Sequence, residues 1–292
     1  MQENVKGSMI KSAWFRGQLN RLFHSPLGLL GLVLVVTIVL SALLANWIMP
    51  HDPIIINVKY RLQPPSVTYP LGTDQLGRDV LSRVIMGSRI ALKVAVVSIS
   101  ISMTLGLTMG LLAGYGPPWL DGLMIIQFDT IRSFPVVMFA LAVVTIVGPS
   151  LNTVMLIIIV TSIPIYGRIA RAQTQTLKNS DFIMAEVVMG ASMTRILVIH
   201  ILPNVIGPLL IIASMEIPAV VTLEAGLSFL GLGVRPPTPS WGSILNDGFA
   251  FIRETPWLVI AAGIPLILTT LGFTFLGETL RDLFDPKLQK EL

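Results

Sequence analysis

The sequence is short of charged residues and contains no cysteine at all. Only 12% of its 292 residues are charged, whereas 53% are hydrophobic. A soluble domain carries about 25% charged residues. The absence of cysteine excludes disulfides and thiol ligands. The positive residues are scattered and the net charge is only +4, which excludes a nucleic-acid-binding surface. These properties leave an integral membrane protein as the class.

The sequence also lacks the motifs that carry out chemistry. It has no GxxxxGK[ST] sequence to hold nucleotide phosphates, and neither GxSxG nor HExxH occurs. Its histidines, His24, His51 and His200, lie far apart in the chain, which is typical of lone polar residues. We therefore predict no catalytic residue, no metal site and no cofactor on this chain, and any ATP would have to be bound by a partner.

Six apolar segments are candidates for crossing the membrane. Two of them are short and separated only by Gly148-Pro149-Ser150, which predicts a hairpin of two spans. The pattern predicts an all-α integral membrane protein with six transmembrane helices. The segments cover residues 27–48, 90–112, 133–147, 153–166, 205–230 and 257–275.

Positive charge predicts how the spans are oriented. Residues 1–26 carry four basic residues and a single acid, Glu3, so we place this segment in the cytoplasm, followed by an uncleaved first span at 27–48. Residues 49–89 then form an extracytoplasmic loop, although five basic residues there run against the rule. Residues 90–275 form a five-helix core with a cytoplasmic loop at 167–204, and residues 276–292 form a cytoplasmic tail.

The cytoplasmic loop contains a stretch that is typical of a protein-docking surface. Asn179, Ser180 or Asp181 is placed to cap a short helix, and Gly190 is placed to form a turn. Ser192 is placed to cap a second short helix leading into Pro203. We expect two short helices that meet at a bend, protrude from the membrane and contact another protein.

Other polar residues lie within or beside the apolar segments. Thr73 or Asp74 is a natural cap for an interfacial helix in the 49–89 loop. Asp129 and Arg132 have the spacing of a pair on one helix face. Gly106, Gly110 and Gly114, four residues apart, favour close helix packing.

Two carboxylates lie inside the fifth apolar segment. Glu216 and Glu224 are about 80° apart on a helix, so they share one side. A carboxylate at bilayer depth costs a few kcal/mol, which favours a functional role or a partner. Two interpretations stay open: the pair lines a translocation path and attracts a positively charged part of the cargo, or each is paired for architecture.

Four stretches together resemble ABC importer permeases of the dipeptide, oligopeptide and nickel family, of the C-type subunit. The 181–204 stretch resembles the EAA loop that docks on ATPase subunits, with Met184 in place of a common Glu and Glu186 in place of the second Ala. The other three resemble the family signatures GTDxxGRDxxSRxxxGxR, LSFLGLG–PPxPSWG and G-[DE]-x-L-R-D-x-x-D-P. They lie at residues 72–89, 227–242 and 277–286. For the first of these, packing at the membrane surface and substrate contact are both open.

The resemblance implies a type I ABC importer permease fold in the cytoplasmic membrane. It implies a second permease subunit, two ATP-binding subunits that carry ATP and Mg²⁺, and an extracytoplasmic solute-binding protein. The coupling residues that it implies are Asp181, Ala185, Glu186, Gly190, Ala191, Ser192 and Pro203. The expected cargo is a di- or oligopeptide, with glutathione-like compounds, nickel or another small solute as alternatives. An ion-coupled secondary transporter is a more distant alternative, but it would not need the docking loop and would usually show internal repeats.

Overall fold

The computed structural model describes residues 25–284, and every regular element in that range is a helix. The predictions for residues 1–24 and 285–292 lie outside the described residues. A short 3₁₀-helix covers Val58–Tyr60, and the longer helices are α1 (Pro26–Leu43), α2 (Ala45–Ile48), α3 (Val80–Tyr115), α4 (Pro118–Ser133), α5 (Val136–Val147), α6 (Leu151–Lys178), α7 (Asp181–Val188), α8 (Met193–Phe229), α9 (Trp241–Ala250) and α10 (Trp257–Phe284).

The prediction of an all-α membrane protein is confirmed. Between residues 25 and 284, the five helices α1, α3, α6, α8 and α10 are long and apolar enough to cross a membrane. The bent pair of α4 and α5 makes a sixth span if the two cross together. We call one end of this bundle the α7 end and the opposite end, which carries residues 49–79 and α9, the α9 end.

The third span differs from its predicted form. We predicted a helix over 133–147, but α5 alone is about 18 Å long, too short for a hydrocarbon core of about 30 Å. Instead α4 and α5 meet at an angle of 89°. The break falls at Phe134 and Pro135, which are both extended, because a residue before proline is disfavoured in the helical region.

The predicted glycine packing is confirmed between α3 and α6. A Cβ atom on Gly106 would lie 2.7 Å from the carbonyl oxygen of Ile163, and one on Gly110 would lie 2.5 Å from that of Gly167. A Cβ atom on Gly114 would lie 2.6 Å from Thr174 Cβ. The two backbones therefore approach each other as closely as they do because these positions have no side chain.

Gly110→Ala is expected to lower the apparent melting temperature of the detergent-solubilised protein. The added methyl must push α6 away, and overpacking of this kind costs about 1–3 kcal/mol. Gly122→Ala is the matched control, because a Cβ there meets nothing within 4 Å. Alanine is also the better helix former, so the control is expected to leave the melting temperature unchanged or raise it. Equal effects of the two variants would contradict the packing role.

The interfacial helix predicted in the 49–89 loop is not a separate helix. Residues from Val80 onwards form the first turns of α3, which runs without a break into the membrane. Its cap is Asp79, whose carboxylate accepts from Ser82 N at 3.0 Å, and not Thr73 or Asp74. Asp74 is instead drawn into an ion network.

That ion network joins the start of α3 to α9. The Asp74 carboxylate lies 2.6 Å from Arg78 Nε and 3.3 Å from Arg83 Nε. Both arginines also reach Asp247 on α9 at 3.4 Å. Asp74, Arg78 and Arg83 are almost fully buried. Residues 72–83 therefore act in packing at this end of the bundle, which accords with one of the two interpretations of that signature.

Candidate functional site

Helix α7 begins where α6 ends, but without the predicted side-chain cap. Ser180 occupies the capping position, yet its hydroxyl donates to the carbonyl oxygen of Leu177 at 2.6 Å. The last carbonyls of α6 need donors, and the serine satisfies one of them instead of an N–H of α7. The two helices are therefore joined by a tight polar turn.

The end of α7 has the predicted turn at Gly190. This glycine has φ +81°, in the left-handed region that other residues resist. Gly190 N donates to Val187 O and Ala191 N to Glu186 O, both at 3.0 Å, which is the Schellman pattern. Ser192 then caps α8 by accepting from Arg195 N at 3.4 Å, as predicted.

The second helix is not short, which corrects the expectation of two short helices. It is the start of α8, a continuous helix of 37 residues. Pro203 does not end it, because a π-helical segment over Ile196–Ile201 precedes the proline. In that segment Leu202 N bonds to Leu197 O, so the hydrogen-bond pattern has already shifted before the residue that has no N–H.

One apolar residue anchors α7 to the bundle while the others are exposed. Ile183 is only 1% exposed and belongs to the same buried core as Ile196 and Ile201. The opposite side of α7 leaves Val188 87% and Met189 73% exposed. The sequence directly before α7 is polar, and exposed apolar patches beside such sequence usually mark protein contacts.

A polar contact also ties α7 to α8. His200 Nε2 lies 3.4 Å from Glu186 Oε1 without forming a hydrogen bond, and both side chains are about three-quarters covered. Sequence reasoning treated His200 as a lone polar residue, because the bend that brings it to Glu186 depends on the turn at Gly190. The only signal in the sequence was the glutamate itself, which stands where the resembling family carries alanine.

Two ion pairs join α4 to α6 towards the α7 end. Arg171 binds Asp121 with two nitrogens, and its Nη2 lies 2.6 Å from Asp121 Oδ2. Arg168 Nη2 donates to Asp129 Oδ1. The predicted pair of Asp129 with Arg132 is therefore wrong. A pair within one exposed helix is worth only about 0.2–0.5 kcal/mol, and the arginine of the neighbouring helix takes its place.

Both candidate path carboxylates lie on the packed side of α8. Glu224 is fully buried, and its Oε1 accepts from Ser228 Oγ at 2.8 Å. Ser228 Oγ in turn accepts from Val234 N at 3.2 Å, which fixes the turn that follows α8. Glu216 is half-buried. Their role in translocation stays a prediction.

The opposite, exposed face of α8 consists largely of small and polar residues, and sequence reasoning missed it. An open groove of about 510 Å³ runs along the C-terminal half of α8, towards the α9 end. A lipid-facing surface normally carries large apolar side chains, whereas small residues favour close approach of another helix. The signal in the sequence that could have revealed this face was the recurrence of small residues every three or four positions along α8. The exposed members are Asn204, Gly207, Ala219, Thr222 and Gly226.

Comparison with known families and proteins places this architecture among transport components. Residues 106–290 match the family described as the inner membrane component of binding-protein-dependent transport systems. Residues 8–65 match the N-terminal transmembrane domain of oligopeptide transport permease C.

Several curated proteins are similar over almost their whole length. A dipeptide transport system permease of Alkalihalophilus pseudofirmus is 36% identical, with 95% of this chain and 91% of that protein aligned. A di/tripeptide permease of Pseudomonas aeruginosa is 37% identical over 91% of this chain and 90% of that protein. A glutathione permease of Pectobacterium atrosepticum is 35% identical over 98% and 95%.

A solved structure supports the fold. An inward-facing form of the MetNI methionine ABC transporter superposes with a TM-score of 0.56 at 18% identity. The match covers 70% of this chain and 97% of that chain. At this identity the likeness concerns the arrangement of the helices.

Proposed function

Because this chain belongs to the family of inner-membrane components of binding-protein-dependent transport systems, we propose that it is the peptide-importing permease subunit of an ATP-driven importer. The observation that carries the cargo proposal is the full-length similarity to permeases named for dipeptides, tripeptides and glutathione. All three names describe short peptides. We therefore propose di- or oligopeptides as the cargo.

The proposed partners correspond to surfaces that the chain leaves uncovered. The small-residue face of α8 and its groove fit a second, related permease subunit, because one bundle of this size does not enclose a peptide path. The exposed apolar side of α7 fits an ATP-binding subunit. Two such subunits would bind ATP and Mg²⁺, and a solute-binding protein would deliver the cargo at the α9 end.

The proposed mechanism places the α7 end in the cytoplasm. Closure of the ATP-binding subunits would displace the segment Asp181–Gly190, and the displacement would pass to α8. Ala185, Ala191, Ser192 and Pro203 belong to the same coupling element in this proposal. The chain itself carries out no bond-breaking step.

The two buried carboxylates receive different proposed roles. Glu224 holds the end of α8 through Ser228, so it keeps the path wall in shape. Glu216 is the stronger path candidate, because it is only half-buried whereas Glu224 is fully buried. A carboxylate in this position would attract the ammonium group of a peptide.

Uptake in cells that lack this chain tests the proposal. We expect uptake of a radiolabelled dipeptide to fall to background and to return when the chain is restored.

Affinity purification and further uptake measurements test the partners and the alternatives. A tagged copy of the chain is expected to copurify from native membranes with ATP-binding subunits and with a second permease subunit. If dipeptide uptake is unchanged and nickel uptake is lost, the cargo is nickel and not a peptide. Uptake that continues after ATP is depleted but the ion gradient is kept would favour the secondary transporter.

A further inference from the structure

Helix α7 is joined to α8 by a short backbone turn, in which Ala191 packs against the buried core. The turn runs from Met189 to Ser192 through the left-handed Gly190, and a Cβ built on Gly190 would meet no atom within 4 Å. The turn is held by its own hydrogen bonds from Gly190 and Ala191. A push on α7 reaches α8 through this turn, through the packing of Ile183 in one core with Ile196 and Ile201, and through any polar contact between the two helices.

The approach of Glu186 to His200 supplies a polar connection, which is an ion pair when the imidazole is protonated. Glu186 lies in the last turn of α7, and His200 lies in the π-helical segment of α8, with 3.4 Å between Oε1 and Nε2. A π-helical turn holds more residues than an α-helical one, so residues within it take directions that a regular helix would not give them. Both side chains are about three-quarters covered, so water screens the contact only partly.

Glu186 occupies a special place because its backbone and its side chain act together. Its carbonyl oxygen accepts from Ala191 N in the turn, while its side chain reaches past the turn to α8. The turn and the side-chain contact thus close a small ring of three sides: α7, residues 189–192 and the start of α8. A closed ring resists bending, whereas a single turn does not.

We propose that Glu186 and His200 act as a positioning pair that makes α7 and α8 move as one body, so that displacement of α7 reaches the membrane-spanning part of α8. This proposal rests on the proposed function insofar as ATP-binding subunits supply the displacement. It accounts for the departure of this chain from the family pattern at residue 186, since an alanine there could not reach His200.

The first test measures the link itself and does not depend on cargo. The chain has no cysteine, so spin labels attach only where cysteine is introduced. Met184→Cys on α7 and Leu210→Cys on α8 are both exposed positions. In the full chain in detergent, without its partners, E186A and H200A are each expected to broaden the distance distribution between the labels. An unchanged distribution in both variants would overturn the link, whatever the complex transports.

The second test measures transmission in reconstituted vesicles. E186A and H200A are each expected to lower the number of peptides imported per ATP hydrolysed about five-fold, while ATP hydrolysis itself continues. The exchanged variant E186H/H200E is expected to recover at least half of the ratio. Glu254→Ala, an exposed carboxylate at the α9 end, is the control and should change nothing.

The outcomes separate the two proposals. If the single variants keep the wild-type ratio, or if their effects simply add in the double alanine variant, the pair does not transmit the movement. If the wild-type complex imports no peptide at all, the proposed function fails. The label distances then decide alone whether the pair joins α7 to α8.

Discussion

Val188→Asp together with Met189→Asp is expected to abolish copurification of this chain with its ATP-binding subunits. These residues are the most exposed apolar side chains of the α7 segment, at 87% and 73%. Burying each in a partner contributes about 1.5–3 kcal/mol, so their loss weakens binding by about 100-fold or more. Peptide uptake is expected to be lost with the complex, while the variant chain still inserts into the membrane.

The control for this prediction is the same change at the other end of the bundle. Val58 and Val67 are both exposed in the loop before α3, and Val58→Asp together with Val67→Asp adds the same two charges there. It is expected to leave the ATP-binding subunits attached. If the α7 variant keeps them at wild-type amounts during affinity purification, α7 is not the docking surface.

Asp74→Asn is expected to destabilise the protein more than any other single change at the α9 end. Asp74 is 1% exposed and contacts two buried arginines, Arg78 and Arg83. Removing one partner of a buried ion pair costs about 3–5 kcal/mol, because the charge left behind stays desolvated. Asp247 would then be the remaining acid for both arginines.

Thermal unfolding of the detergent-solubilised protein measures this effect. A loss of this size corresponds to a fall of the apparent melting temperature by about 10 °C. Asp52→Asn is the matched control, since Asp52 is exposed in the same loop and only accepts from Ile54 N at 2.9 Å. Equal melting temperatures for the two variants would mean that the network adds no stability.

Local features of the site were predictable from sequence because they depend on neighbours in the chain. The left-handed turn at Gly190 and the cap at Ser192 follow from residue type and spacing alone. The class of protein follows from composition, and the close approach of a neighbouring helix to α3, though not the identity of that helix, follows from a four-residue glycine repeat. Each of these needs no knowledge of how distant segments meet.

Features that depend on distant segments were not predictable. Asp129 forms its ion pair with Arg168 on another helix and not with the nearby Arg132. His200 lies near Glu186 only because the turn brings the two helices together. Angular spacing placed Glu216 and Glu224 on one side of α8, but it could not say that this side faces the packed interior. The path residues therefore have to be sought on the opposite face as well.

The unbroken length of α3 has a consequence for how the two sides of the membrane communicate. Its 36 residues extend for about 54 Å, whereas the hydrocarbon core is about 30 Å thick. No proline interrupts it, so we expect it to move as one stiff body, with its two ends shifting in opposite directions if it tilts about the glycine contact.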